Sequence, residues 1–287
     1  MPTDALPRLD PAFIAAVNAR LAGEAALIAQ VDAPPVPRGQ GEWPLDPALA
    51  DARAAWVERL AGEGRPNEPH ALLADGDSIA ARADYAVVDF ATVCAMRERG
   101  RRPRLLSAGG LAVCAERGCV LLQRRSRWVS TYPGCLDIVG GAFQPPAPGF
   151  TGDSGLADTV AREFQEETGI ALAPSRHPPA VIAGQLRAGF SGYIELGLAV
   201  DAAALDAAVP SREGELVPMN AGALAAAFAD PKERWVPTAR MHVLAWLALG
   251  ARAWDGDGDA GPVFDRQQAT RLLAGFDAGN QRLAPWS

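Results

Sequence analysis

Apolar residues recur at helical spacing in three stretches of the N-terminal part. Over 10–30, Phe13, Ile14, Val17, Leu21, Leu27 and Ile28 share one face. Asp10 stands where a cap belongs and Pro11 suits a first turn, so the spacing predicts a helix there. A Pro-rich break over 31–44 reads as a connector. A second helix is predicted over 47–61, with Trp56, Val57 and Leu60 as its apolar face, and a third over 84–98, carrying Tyr85, Val88, Ala91, Thr92, Ala95 and Met96. Between them, short apolar runs at 70–74 and 78–83 flank Asp75-Gly76-Asp77, a hairpin signal.

From Leu105 the texture changes. Two β-like runs, 105–114 and 119–125, are joined by Ala-Glu-Arg-Gly, and a short strand over 136–139 ends in Gly140-Gly141. A Pro/Gly-rich loop leads to a strong helical pattern over 154–168, closed by Gly169 as its C-cap. Strands are predicted at 180–187, 193–200 and 215–219, helices at 221–229 and 237–249, and a short last helix at 265–273. These elements interleave without a regular βαβ beat, which predicts an α+β or mixed-sheet α/β class. The basic run 99–104 is the natural boundary. The division expected is an N-terminal α+β extension over 1–103, a main domain over 104–252 and a C-terminal loop with a short helix over 253–287.

Composition narrows the chemistry. The 287 residues carry a net charge of −7, and Lys232 is the only lysine among 27 basic residues. That lysine lies outside any Gly-rich loop, so a Walker A site is excluded. The three histidines, His70, His177 and His242, are scattered, which excludes an HExxH centre. An acidic pI near 5.1 argues against a nucleic-acid partner. Cys94, Cys114, Cys119 and Cys135 lack CxxC spacing and read as reduced thiols. Neither a basic-then-apolar leader nor an eighteen-residue apolar run is seen, so a cytoplasmic protein without a membrane partner is expected. Asp255, Asp257 and Asp259 imitate a calcium loop. The twelfth position is Arg266 and the sixth Ala260, so a solvated loop is expected instead.

What remains abundant is carboxylate and arginine. In Arg162-Glu163-Phe164-Gln165-Glu166-Glu167-Thr168-Gly169-Ile170, helical spacing puts Glu163, Glu166 and Glu167 on one face. Like charges so close repel, and either a divalent cation or paired arginines on a solvated face answers that repulsion. Arg162 is placed to pin a neighbouring carboxylate. The preceding Gly140-Gly141 lets the backbone approach a phosphate or offer a carbonyl to a metal.

These residues resemble the Nudix hydrolases, whose box reads G-x5-E-x7-R-E-U-x-E-E-x-G-U, with U a bulky apolar residue. Gly141 matches the first position, and residues 162–170 match the last nine. The middle departs from the pattern. Twenty residues separate Gly141 from Arg162 where the box has thirteen, and the box's first Glu, in the family the structural partner of the Arg, falls on Ser154 beside Asp153. Ser154 or Asp153 is expected to cap the helix.

A finer resemblance, through Arg124-Arg125-Ser126-Arg127, Pro133-Gly134, Asp137 and Gly140-Gly141, is to the branch that splits UDP-glucose and UDP-galactose. It implies an α/β/α sandwich with a mixed sheet, preceded by a smaller α+β region. It also implies Mg2+, or alternatively Mn2+, on Glu163, Glu166, Glu167 and the Gly140 carbonyl. Glu163, Glu166 and Arg162 would serve catalysis, with Glu213 or Glu215 as an alternative base. Arg125, Asp137, Gln144 and Tyr85 would contact a small-molecule nucleoside diphosphate derivative, Tyr85 against a uracil or, alternatively, packed at the domain joint. The products expected are UMP and a sugar 1-phosphate. ADP-ribose, a dinucleotide or coenzyme A are alternative substrates, and a non-catalytic nucleotide sensor is the alternative in another class. The N-terminal region fits substrate enclosure or a homodimer contact.

Overall fold

A computed structural model describes residues 7–21, 25–74, 79, 81–129, 131–172, 178–185, 189–256 and 258–278. The strand at its centre is β5 (Leu105–Cys114), which is buried at nearly every position. On one side β5 runs parallel to β10 (Phe190–Ala199), which pairs antiparallel with β9 (Ala180–Gln185). On the other side β5 is shared. Its first half pairs with β8 (Val139–Ala142), and its last residues form a hairpin with β6 (Cys119–Arg125). The short β7 (Leu136–Asp137) and β11 (Gly214–Asn220) extend β6.

The sheet continues into the N-terminal region. β1 (Ala25–Val31) lies antiparallel to β9, and β3 (Pro69–Leu73) joins the start of β5 through Leu72 and Leu105. β4 (Arg82–Asp89) and the exposed edge strand β2 (Val36–Glu42) follow. One sheet therefore runs across residue 103, and the class is mixed α+β as expected.

Helices close both faces. α1 (Pro11–Arg20) is capped by Asp10 through the Ala12 amide. α2 (Ala50–Gly62) follows a single 3-10 turn at Pro47–Leu49, and α3 (Phe90–Glu98) packs against α2. α4 (Leu156–Thr168) covers β8 and β5, with Val160 and Phe164 fully buried. The short α5 (Ala202–Asp206) was not legible in the pattern. α6 (Ala221–Ala229), the almost wholly buried α7 (Pro237–Ala248) and α8 (Arg266–Ala278) complete the other layer.

Alternation along β5 separates the two cores. Leu111 and Val113 face the α6–α8 layer, whereas Leu106, Ala108 and Ala112 belong with Val160 and Phe164.

Several sequence expectations are corrected. The helix expected over 10–30 ends at Arg20, and Leu27 and Ile28 sit in β1, because antiparallel pairing with β9 outweighs the helical spacing. The connector over 31–44 holds β2. The helix expected over 84–98 divides at Asp89: Tyr85 and Val88 are on β4, and Asp89 caps α3 through the Thr92 amide. The aspartate loop holds a hairpin, β12 (Arg252–Asp255) and β13 (Gly258–Pro262), in which Arg252 pairs with Asp259. His177, Asp257 and the turn residues Asp75-Gly76-Asp77 lie outside the described residues. Among the described residues no helix is long and apolar enough to cross a membrane.

Candidate active site

α4 sets the site. Its C-terminus is a Gly169 left-handed cap (φ 72°), a conformation that favours glycine over residues carrying a Cβ. Its N-cap is Gly155, with no side-chain cap bond, so neither Ser154 nor Asp153 caps the helix as expected. The Ser154 hydroxyl bonds Asp158 instead.

Asp153 takes a different part. Its carboxylate accepts from Arg162 Nε at 2.8 Å and Nη2 at 3.0 Å, and also from the Gln144 amide and the Thr159 hydroxyl. Arg162 spends its remaining donors on the Ala142 carbonyl, Glu163 at 2.8 Å and Glu166 at 3.1 Å. One guanidinium thus ties the inserted loop, β8 and two of the three helix carboxylates together.

Glu163 points from α4 onto β8. A Cβ on Gly141 would stand 2.2 Å from Glu163 Oε1, so this carboxylate reaches the strand backbone only because residue 141 is glycine. Glu163 and Glu167 are 8% and 4% exposed. Burial, then the neighbouring carboxylates, pushes both up, Glu163 to about 7 despite Arg162, and Glu167 well above the carboxylate range. Gln123 Nε2 is 3.5 Å from Glu167 Oε2. Glu166 is mostly exposed.

Glu163 and Glu166 line a cavity of about 480 Å³, and so do Gly140, Gln144, Arg125 and Asp137. Arg125 and Asp137 are bound to each other, Nη1 to Oδ2 at 3.0 Å, and Arg125 Nε is held by the Thr131 carbonyl. Burial raises the Asp137 carboxyl. Glu213 lines the same cavity and is felt by Glu163 and Glu167, whereas Glu215 does not line it and is exposed on β11 opposite Arg124.

Tyr85 is not there. It is buried edge-on against Phe143, with ring centroids 5.5 Å apart, and borders a separate surface hollow beside Trp43. The domain-joint alternative for Tyr85 is the one this packing matches. Residues that the sequence did not single out also reach the cavity. Glu68 accepts from Gln144 Nε2 at 2.7 Å, and His70, Phe90 and Arg97 also line the cavity. No local motif marks them, since pairing of β4 with β3 and of β3 with β5 brings them to the box.

Among the described residues no three His, Cys, Asp or Glu side chains converge as a ready-made metal site. The donor chemistry nevertheless suits a hard divalent cation. Glu163, Glu167 and the Gly140 carbonyl are all oxygen donors, and the two buried carboxyls carry the burden of desolvation and mutual repulsion.

Residues 103–193 match the family model of the NUDIX domain. That match supports the class of reaction expected from the sequence, pyrophosphohydrolysis. Among solved structures, this chain is similar to a MutT protein from Methanosarcina mazei Go1, at 27% identity over 44% of this chain and 83% of the other, with a TM-score of 0.34. A MutT NUDIX hydrolase from Burkholderia pseudomallei is 21% identical over 50% of this chain and 95% of its own, with a TM-score of 0.31. A bifunctional NMN adenylyltransferase/ADP ribose pyrophosphatase from Francisella tularensis is 13% identical, covering 42% and 34%, with a TM-score of 0.33. No curated protein matches the chain.

Proposed function

We propose that the protein hydrolyses the diphosphate bond of a nucleoside diphosphate linked to a second moiety, with UDP-glucose and UDP-galactose as the first substrates to test. The observation that carries this reading is the pair of buried, charge-burdened carboxyls, Glu163 and Glu167, on the box helix beside a cavity walled by Gly140 and Gly141.

Glu163, Glu167 and the Gly140 carbonyl would hold Mg2+ or Mn2+, with Glu166 available for a second ion. A bound divalent ion supplies Lewis acidity at phosphorus and a more acidic attacking water. Arg162 orients Glu163 and Glu166 and keeps them from drifting apart. Glu213, on the cavity wall and exposed, is the residue best placed among the alternatives to Glu166 for taking the proton from water. Arg125, with one edge on Asp137, lines the cavity as the cation that offsets charge developing on the phosphoryl oxygens. Water attacks one phosphorus, the bridging oxygen leaves on the other, and a nucleoside monophosphate and a sugar phosphate separate.

A panel of diphosphate compounds with Mg2+, scored by phosphate release after added phosphatase, tests the reading. Turnover confined to UDP-sugars supports the finer assignment. Turnover of ADP-ribose or a dinucleotide alone replaces it. Tight binding of one compound without turnover of any overturns it in favour of a sensor.

A further inference from the structure

Part of the cavity lining is supplied by the N-terminal region. Arg65, His70, Phe90 and Arg97 meet Leu105 and Phe190 there. These residues surround a small apolar cluster, separate from the two main cores, in which Phe90 and Phe190 are only partly buried. The His70 and Phe90 rings lie 5.4 Å apart, the Arg65 guanidinium stands 5.5 Å from the Phe90 ring, and that of Arg97 stands 5.7 Å from the Phe190 ring.

The polar groups of this wall are short of partners. Arg97 Nη2 and His70 Nδ1 are buried without a hydrogen-bond partner, and no carboxylate pairs with Arg97 among the described residues. A guanidinium is donor-only and keeps its charge, so a buried N–H of this kind calls for an acceptor. Burial disfavours the charged forms of both Arg97 and His70, in keeping with a wall shielded from water. Two partly buried aromatic rings lining the cavity beside an unpartnered donor suit a flat ring better than a sugar, whose hydroxyls need donors and acceptors on every side.

We infer that this wall is a ring-binding subsite, in which Phe90 and Phe190 take the face of a planar heteroaromatic group and Arg97 donates to an acceptor on that group. The inference rests on the pyrophosphohydrolase reading only in treating the ring as attached to the diphosphate held at the Glu163 end. It makes the N-terminal region the determinant of which ring is accepted.

Calorimetry on the full chain with Mg2+ and three non-hydrolysable probes tests it: α,β-methylene-UDP, α,β-methylene-ADP and ringless methylenediphosphonate. At least one ring-bearing probe is expected to bind tenfold or more tighter than methylenediphosphonate. Arg97→Leu or Phe90→Leu is expected to abolish that advantage while leaving methylenediphosphonate within twofold of its original affinity. Arg97→Lys keeps the charge without the planar fork, and is expected to behave as Arg97→Leu with an unchanged melting temperature. It carries the test if the leucine variant does not fold. Ring probes that bind no tighter than methylenediphosphonate overturn the subsite, as does an equal loss for all three probes. Failure of methylenediphosphonate alone counts against the diphosphate site, and ring binding that still depends on Arg97 would uphold the subsite without it. Binding of none of the three overturns both.

Discussion

Asp153 clamps Arg162 with both carboxylate oxygens, at 2.8 and 3.0 Å, from the far end of the loop that lengthens the box. The Arg of the box thus has a structural acid partner, supplied by a residue one place before the position that spacing indicates. Replacing Asp153 by Asn removes the acid behind two of the five hydrogen bonds that the partly buried guanidinium makes among the described residues. Asp153→Asn is expected to cost roughly 3 kcal/mol in urea unfolding and to lower kcat, because Arg162 no longer fixes Glu163. An unchanged unfolding midpoint would remove the clamp from the account.

Glu167 separates function from stability. Its carboxyl is buried beside Glu163, and among the described residues its one hydrogen-bond partner is Gln123, at the edge of bonding distance. Glu167→Gln replaces a carboxyl whose charged form burial and Glu163 disfavour, so the melting temperature in EDTA is expected to hold or rise. Turnover with Mg2+ is expected to fall by orders of magnitude. A folded variant with near-normal turnover would take Glu167 out of the site.

Gly141→Ala tests the contact between strand and helix. The new methyl would overlap Glu163, a buried side chain anchored by Arg162, so the carboxylate must move off β8. An expected penalty of about 1–3 kcal/mol, the usual cost of overpacking, is to be measured by thermal unfolding, together with a loss of turnover larger than any change in KM.

His242 makes stability depend on pH. It is enclosed on α7 with both ring nitrogens unpartnered, and burial holds its pKa down at about 3, against an ordinary value of 6.5. The unfolded chain therefore takes up this proton first as pH falls. The stability contributed by a neutral His242 is complete above about 6.5 and is lost between 6.5 and 3. His242→Leu is expected to flatten the fall of unfolding free energy across that window, as measured by urea titration at several pH values. An identical slope in the variant would assign the acid lability to other groups.

Local rules were sufficient for some of the fold. Residues 105–114 and 119–125 form their hairpin, and 221–229 form a helix, because each carries its own periodicity and end signals. The box helix was legible for the same reason: the spacing of Glu163, Glu166 and Glu167, with Gly169 behind them, is a property of one turn-repeat. Elsewhere the pattern misled. Leu27 and Ile28 continue a helical spacing, yet both lie on β1, where Leu27 pairs with Ala183 of β9, more than 150 residues away, and Tyr85 sits on a strand because β3 lies beside it.

By itself, then, the sequence determined the reaction class and the helix on which Glu163, Glu166 and Glu167 cluster, since those depend on residues within a few turns of one another. The tertiary structure alone decided which acid holds Arg162 and which distant residues line the cavity with the glutamates. Glu68, His70, Phe90 and Arg97 lie far upstream of the box and bear no motif. They reach it because β3, with His70 on it and Glu68 just before it, adds to the start of β5, and β4 pairs with β3 and leads into α3, which carries Phe90 and Arg97. Such pairings are settled by sheet geometry and burial between distant segments, where no local spacing records them.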